Sequence, residues 1–216
     1  ADLHVFHLTT EKEMELFSSG EVDNKKITAE VCVHHMHFNN SYYAELGNQI
    51  KCNPSIKMES DRLALIDALK GNKIDIIATD HAPHTWDEKN QDYPSAPAGL
   101  PLVQHGLQIL MDFYHEGILS LEMIVEKTSH NVAKRFQIKD RGYIREGYYA
   151  DLTVLDLEKP YEVSKDNILY KVGWSPFTGK TFNSSIYMTV VNGHIAFQDG
   201  KVNEDIPLGM QIEFDR

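Results

Sequence analysis

Apolar and polar positions along the 216-residue chain follow two periods, and each period predicts a type of element. Near the centre, Ile74-Asp75-Ile76-Ile77-Ala78-Thr79 is a β-branched run that ends abruptly in Asp80-His81-Ala82-Pro83-His84. That is the pattern of a buried strand delivering ligands and acid–base groups to the rim of a sheet or barrel. Side chains alternate along a strand, so Ile74, Ile76, Ala78 and Asp80 share one face. The same period predicts a strand over 3–8, with Leu3, Val5 and His7 on one face and His4 and Phe6 on the other. A second strand is expected over 26–33, with Val31, Val33 and His35 in common parity. A short third at 49–52 is stopped by Asn53-Pro54, because proline disfavours helix at the residue before it.

Helical spacing fills the intervals. Thr10 followed by Glu13 fits a capping box at a helix start. Ser60 reads as the N-cap of a helix carrying Leu63, Ile66 and Leu69, with Gly71 as its stop. Residues 86–100 form a Pro-, Asp- and Gly-rich loop of the length used by lids and binding loops. A helix over 102–116 is expected to bury Val103, Leu107, Leu110 and Phe113 or Tyr114, and shorter helices follow at 121–127 and 131–136. From Gly142 the pattern changes to short strands with Gly turns, including a hairpin over 187–197 on Asn192-Gly193. Strand–helix alternation predicts an α/β fold with a parallel sheet or barrel. A complete eight-stranded barrel takes about 250 residues, so residues 1–140 supply about half of one, and 141–216 form a small β-rich domain.

Composition narrows the partners. A formal net charge of -11 argues against a nucleic-acid backbone or an anionic membrane as the main partner. Cys32 and Cys52 both lie in apolar runs, which favours buried free thiols over a disulfide. No signal peptide is visible and no apolar run is long enough to span a bilayer, so a reducing cytoplasm is the expected compartment. The chain opens on a strand without a Met or an N-terminal arm, which reads as a fragment, a processed chain or a truncation.

Among eleven histidines, placement matters more than number. His7, His35 and Asp80 each end a predicted parallel strand on its inward parity, so the three are expected to converge at one rim. Two imidazoles and a carboxylate suit Zn²⁺, which lowers the pKa of bound water to about 7 and leaves Asp80 to accept the proton. A lone strand-end histidine is more often a hydrogen-bonded rim residue; the shared parity of three favours the metal. His34 is expected to meet solvent or a helix, with an auxiliary ion as the alternative. His4 and His105 are read as structural. Asn53 suits either a substrate hydrogen bond or plain turn chemistry. Cys52 lacks any neighbour that would make it a nucleophile, and no phosphate-binding fingerprint surrounds Gly99.

Several stretches together resemble the C-terminal part of the dihydroorotases of the amidohydrolase superfamily. They are His4-Val5-Phe6-His7-Leu8-Thr9-Thr10, the run from Thr28 to His35, Lys51-Cys52-Asn53-Pro54-Ser55-Ile56-Lys57 and, most specifically, Asp80-His81-Ala82-Pro83-His84. Ala96-Pro97-Ala98-Gly99-Leu100-Pro101-Leu102 and the run from Gly142 to Leu152 extend the likeness over nearly the whole chain. The resemblance implies the C-terminal half of a (β/α)8 metal-dependent hydrolase barrel, strands five to eight, plus a composite β-domain. It implies two Zn²⁺ in the complete site, with His7 and His35 as metal ligands and Asp80 as ligand and general base. It further implies Asn53, His84 and the backbone near Ala98 and Gly99 as substrate contacts. The implied reaction interconverts N-carbamoyl-L-aspartate and dihydroorotate, a small pyrimidine precursor.

Two departures qualify that picture. The family's His-x-His pair and its bridging Lys or Asp have no counterpart here, so the missing N-terminal half is expected in the same or another chain, with a second copy of this chain as a further candidate partner. Val33 also stands where many members carry Pro. Competing readings are a dihydropyrimidinase- or allantoinase-like hydrolase and an inactive scaffold that binds a partner enzyme such as a transcarbamoylase.

Overall fold

Three short β-branched segments each find a parallel neighbour. In the computed structural model, which describes residues 2–205 and 209–215, β1 (Leu3–Val5), β2 (Ile27–Cys32) and β3 (Ile76–Ala78) form a sheet in the order β1-β2-β3. Leu3 pairs with Ile27 and Glu30 with Ile76, so all three strands point their carboxyl ends the same way. Strand β2 is buried from Thr28 to Cys32, as parallel strands covered on both faces are. The fold class is α/β, as the alternation of patterns predicts.

Capping chemistry sets the helices. Thr10 and Glu13 form the expected box on the 3-10 helix Glu11–Leu16, with Glu13 Oε2 accepting the Thr10 N–H at 2.8 Å. Helix α1 (Val33–His37) starts where β2 stops, and α2 (Tyr43–Leu46) follows after a turn. Helix α3 (Glu59–Lys70) begins one residue before the expected cap at Ser60, because the Asp61 carboxylate reaches back to the Met58 N–H at 3.3 Å. Next come α4 (Trp86–Lys89), α5 (Gly106–His115), α6 (Leu121–Val125), a π-helical turn Glu126–His130 and α7 (Asn131–Phe136).

Two expectations are corrected here. No ladder forms over 49–52: the 3-10 turn Gly47–Ile50 occupies it, and the Lys51 carbonyl accepts from the Gly99 N–H at 2.9 Å. The backbone of that segment is therefore spent on the 86–100 loop and not on a strand. Helix α5 also starts later than its apolar pattern suggests, because His81 Nδ1 accepts the Leu102 and Val103 N–H groups at 3.0 and 3.2 Å. Val103 is left 61% exposed instead of buried.

One buried carboxylate fastens the amino end of the sheet. Asp75, 1% exposed, pairs through Oδ1 with Lys25 Nζ at 2.7 Å, and its Oδ2 accepts the Ala29 N–H at 3.0 Å. It thereby ties β2 to the start of β3, at the edge opposite the strand ends.

The remaining strands are antiparallel. Strand β4 (Leu152–Asp156) precedes a two-stranded pair, β5 (Tyr161–Glu162) and β6 (Thr181–Phe182). Strands β7 (Ser185–Val191), β8 (His194–Gln198) and β9 (Lys201–Val202) complete a sheet in the order β4-β7-β8-β9. Asn192 and Gly193, at φ 51° and 82°, make the expected hairpin turn. The stretch around β5 and β6 packs inward: Phe182 is fully buried and stacks on His105 of the segment leading into α5, at 6.0 Å between rings. Among the described residues, no helix is long and apolar enough to cross a membrane.

Candidate metal-binding active site

Parallel pairing places the ends of β1, β2 and β3 on one edge, and the titratable residues that follow them meet there. The ladder extends past β1 through the Leu8 N–H, which donates to the Glu30 carbonyl at 3.0 Å. His7 and Asp80 then adopt left-handed backbone conformations, φ 57° and 46°, immediately beyond their strands. Asn, Asp and His are the non-glycine residues most often found in that region. Such outliers cluster at functional sites.

His7 is gripped from one side and open on the other. Its Nδ1 lies 2.8 Å from Glu30 Oε1 and 3.1 Å from Cys32 Sγ, while its Nε2 faces Asp80 Oδ1 at 3.7 Å. Glu30 is shared: its Oε2 meets His4 Nε2 at 3.1 Å, and His4 Nδ1 meets Thr28 Oγ1 at 2.8 Å. Arg135 donates to the same Thr28 hydroxyl at 2.7 Å. This chain of bonds holds the His7 ring with its Nε2 edge toward Asp80. His4 is thus the structural residue expected, although it is buried against β2.

Helix α1 supplies the second group. Its Cys32 cap and the first turn put Cys32, His34 and His35 close enough that their ligand atoms lie within 4.8 Å of one another. The atoms of His7, Glu30 and Cys32 satisfy the same limit. His7 and His35 therefore both come within 4.8 Å of one sulfur, and Asp80 stands 3.7 Å from His7. The structure thus sets His7 beside Asp80 and brings His7 and His35 each close to Cys32, while Asp80 joins neither of the two groups whose ligand atoms all lie within 4.8 Å of one another. Parity alone would not have aimed His35 there, because the strand ends at Cys32 and His35 is helical.

The donor set suits a divalent cation. His35 Nε2 donates to the Pro54 carbonyl at 2.9 Å, leaving Nδ1 buried without a partner. His34, fully buried instead of in contact with solvent, leaves both ring nitrogens without a partner. The Thr79 carbonyl lies near enough to favour its charged form slightly, but not in hydrogen-bond geometry. Buried polar atoms of this kind normally have partners, so three orphaned imidazole nitrogens at one place mark a site built for a further group. Burial, above all, holds His34 well below the ordinary histidine range and brings His35 down to about 4. Both imidazoles are neutral at pH 7. Burial raises the Cys32 thiol, helped by the Glu30 and Asp80 carboxylates, and raises Cys52 to about 12.

Of the expected substrate contacts, His84 is tied to Ala98, and Gly99 is tied to Lys51, two residues before Asn53. Asn53 is exposed at a cis Asn53–Pro54 bond. His84 Nε2 donates to the Ala98 carbonyl at 3.1 Å, and the His84 carbonyl accepts from Trp174 Nε1 at 2.8 Å. Gly99 sits at φ 136°, and a Cβ there would lie 2.4 Å from the Ala82 carbonyl oxygen, so only glycine fits. Sequence reasoning missed Glu30 and Cys32. The available signal was that Thr28, Glu30 and Cys32 alternate as polar residues on one face of an otherwise apolar strand.

Comparison with known proteins places this arrangement. The model of the Amidohydrolase family matches residues 4–196. The chain belongs to that family. Among curated proteins it is 35% identical over 197 residues to a dihydroorotase of Endomicrobium trichonymphae, covering 91% of this chain and 47% of that protein. It is likewise 34% identical over 200 residues to a dihydroorotase of Methanosphaera stadtmanae, covering 93% and 46% respectively. The chain spans about half the length of the curated relatives it matches. Among solved structures, an L-hydantoinase (dihydropyrimidinase) from Arthrobacter aurescens superposes with a TM-score of 0.86 at 24% identity. That match covers 94% of this chain and 46% of the hydantoinase, and it establishes shared architecture.

Proposed function

We propose that this chain is the C-terminal part of a dihydroorotase-type cyclic amidohydrolase, with residues 1–140 contributing strands to a (β/α)8 barrel and 141–216 a β-rich domain. In this reading, the remaining strands and ligands come from residues outside these 216, in the same or another chain. The observation that supports it is the approach of His7 to Asp80 just past parallel strands, beside a buried Cys32, His34 and His35 cluster whose imidazole nitrogens are partly orphaned. His7 through Nε2, His35 through Nδ1 and Asp80 would hold zinc, and His34 joins them as a candidate ligand because neither of its nitrogens is otherwise engaged. Zinc there would supply an acidified water and polarise the ring amide carbonyl.

The chain's own residues do the rest. Asp80 takes the proton of the attacking water and returns it to the ring nitrogen as the amide C–N bond breaks. Glu30 keeps the proton of His7 on Nδ1. Asn53, His84 and the backbone of Ala98 and Gly99 receive the substrate's carboxylate and ring edge, and the dihydroorotase relatives favour a pyrimidine precursor as that substrate.

The test is turnover by the zinc-loaded protein in its completed barrel, comparing dihydroorotate, dihydrouracil, hydantoin and allantoin. Dihydroorotate is expected to show the highest kcat/KM by at least tenfold; preference for another ring would replace this substrate assignment. A separate expectation concerns Glu30. E30Q keeps the shape but weakens the hold on His7, and should reduce zinc affinity by about 10–100-fold in competition with a chelator. Unchanged affinity would remove Glu30 from the site.

A further inference from the structure

Lys89, at the end of α4, is 1% exposed, and its ammonium faces no carboxylate among the described residues. A buried lysine normally pairs with an acid or loses its charge. Here all three N–H donors are spent on carbonyls: Lys51 at 3.0 Å, Pro97 at 3.0 Å and Gly99 at 2.9 Å. Those carbonyls come from two separate stretches of chain. One leads through Cys52 to Asn53; the other flanks Ala98. The Gly99 N–H also donates to the Lys51 carbonyl, so the ammonium closes a contact the backbone already makes.

We propose that Lys89 is a positioning residue, whose ammonium locks the loop carrying Ala98 and Gly99 onto the backbone beside Asn53 and so sets the spacing of the groups that receive the substrate. The functional part of this statement rests on the substrate contacts assigned above; the lock itself does not. Removing the ammonium leaves the Pro97 and Gly99 carbonyls without this donor and the Lys51 carbonyl with the Gly99 N–H alone, and frees the loop. His84 would move with it, because its ring is tied to Ala98 and its carbonyl to Trp174.

The molecule carries a built-in reporter. Its two tryptophans, Trp86 on α4 and Trp174, meet edge to face at 5.8 Å beside this loop. Burial lowers Lys89 to about 8, with Lys51 adding to that effect and Cys52 opposing it. Asp87 and Glu88 on the same helix are exposed, and Glu88 is turned back onto Thr85 at 2.7 Å. Above that pH the neutral amine has two N–H groups for three carbonyls, so the loop loosens as pH rises.

The experiment uses the 216-residue chain without substrate and compares wild type with K89M, which keeps the stem and removes the donors. Wild type should show a tryptophan emission change with a midpoint near pH 8 that K89M lacks. At pH 7, K89M should be cleaved by chymotrypsin at Trp86 or Tyr93 at least tenfold faster, with far-UV circular dichroism retained. Cleavage within twofold of wild type, or a pH midpoint that persists in K89M, overturns the proposal. If K89M fails to fold, the wild-type series decides: a midpoint near pH 8 supports the lock and a flat emission between pH 7 and 9 overturns it. In the completed enzyme, K89M should raise KM for dihydroorotate about tenfold with little change in kcat. A locked loop with no dihydroorotate turnover in wild type would sink the substrate reading alone.

Discussion

Replacing Asp80 by Asn is expected to lower dihydroorotate turnover by about 10²–10⁴-fold, the usual contribution of a positioned general base. The side chain keeps its size and its place, 3.7 Å from His7 Nε2 and a quarter exposed to the mouth of the site. What it loses is the ability to take a proton, together with the negative charge at the end of β3. A loss confined to KM would mean that Asp80 only binds. The measurement is kcat and kcat/KM for the zinc-saturated variant in its completed barrel, with thermal unfolding as a control. Activity within threefold of wild type would remove Asp80 from the chemistry altogether.

The second large effect is on stability. D75A should destabilise the fold by about 3–5 kcal/mol, because it strands the Lys25 ammonium, 7% exposed at the side chain, without its counter-charge. It also frees the buried Ala29 N–H that Asp75 Oδ2 satisfies. The loss falls at the amino end of β3, away from His7 and Asp80, so the ion site should survive in whatever fraction stays folded. Chemical denaturation of both proteins, fitted to a common m-value, gives the difference. A change under 1 kcal/mol would mean that water or relaxation replaces the pair.

Much of this was legible from local pattern, where the physics is local. The Thr10–Glu13 box and the Asn192-Gly193 turn depend on residues a few positions apart and were readable as such. His7 and Asp80 were readable as lying just past strand ends, because an alternating apolar run stops at each of them. The boundary between β2 and α1 was not legible. Val33-His34-His35-Met36 continues the apolar run with no Gly, Pro or capping side chain to mark the change, so parity was carried past its end. Lys89 was hidden for a different reason. A lysine in a polar loop reads as solvated, and only the folded chain shows that carbonyls from two segments surround it. Likewise Val103 looked like core until His81 was seen to take the backbone donors of Leu102 and Val103 and delay the helix.

The zinc K-edge absorption spectrum of the 216-residue chain with one equivalent of zinc tests the central claim most directly. The account predicts a nitrogen and oxygen shell at about 2.0–2.2 Å with imidazole outer-shell scattering from at least two histidines. That imidazole signal should weaken in H7A. A shell dominated by sulfur at about 2.3 Å, or the spectrum of hydrated zinc, would contradict it.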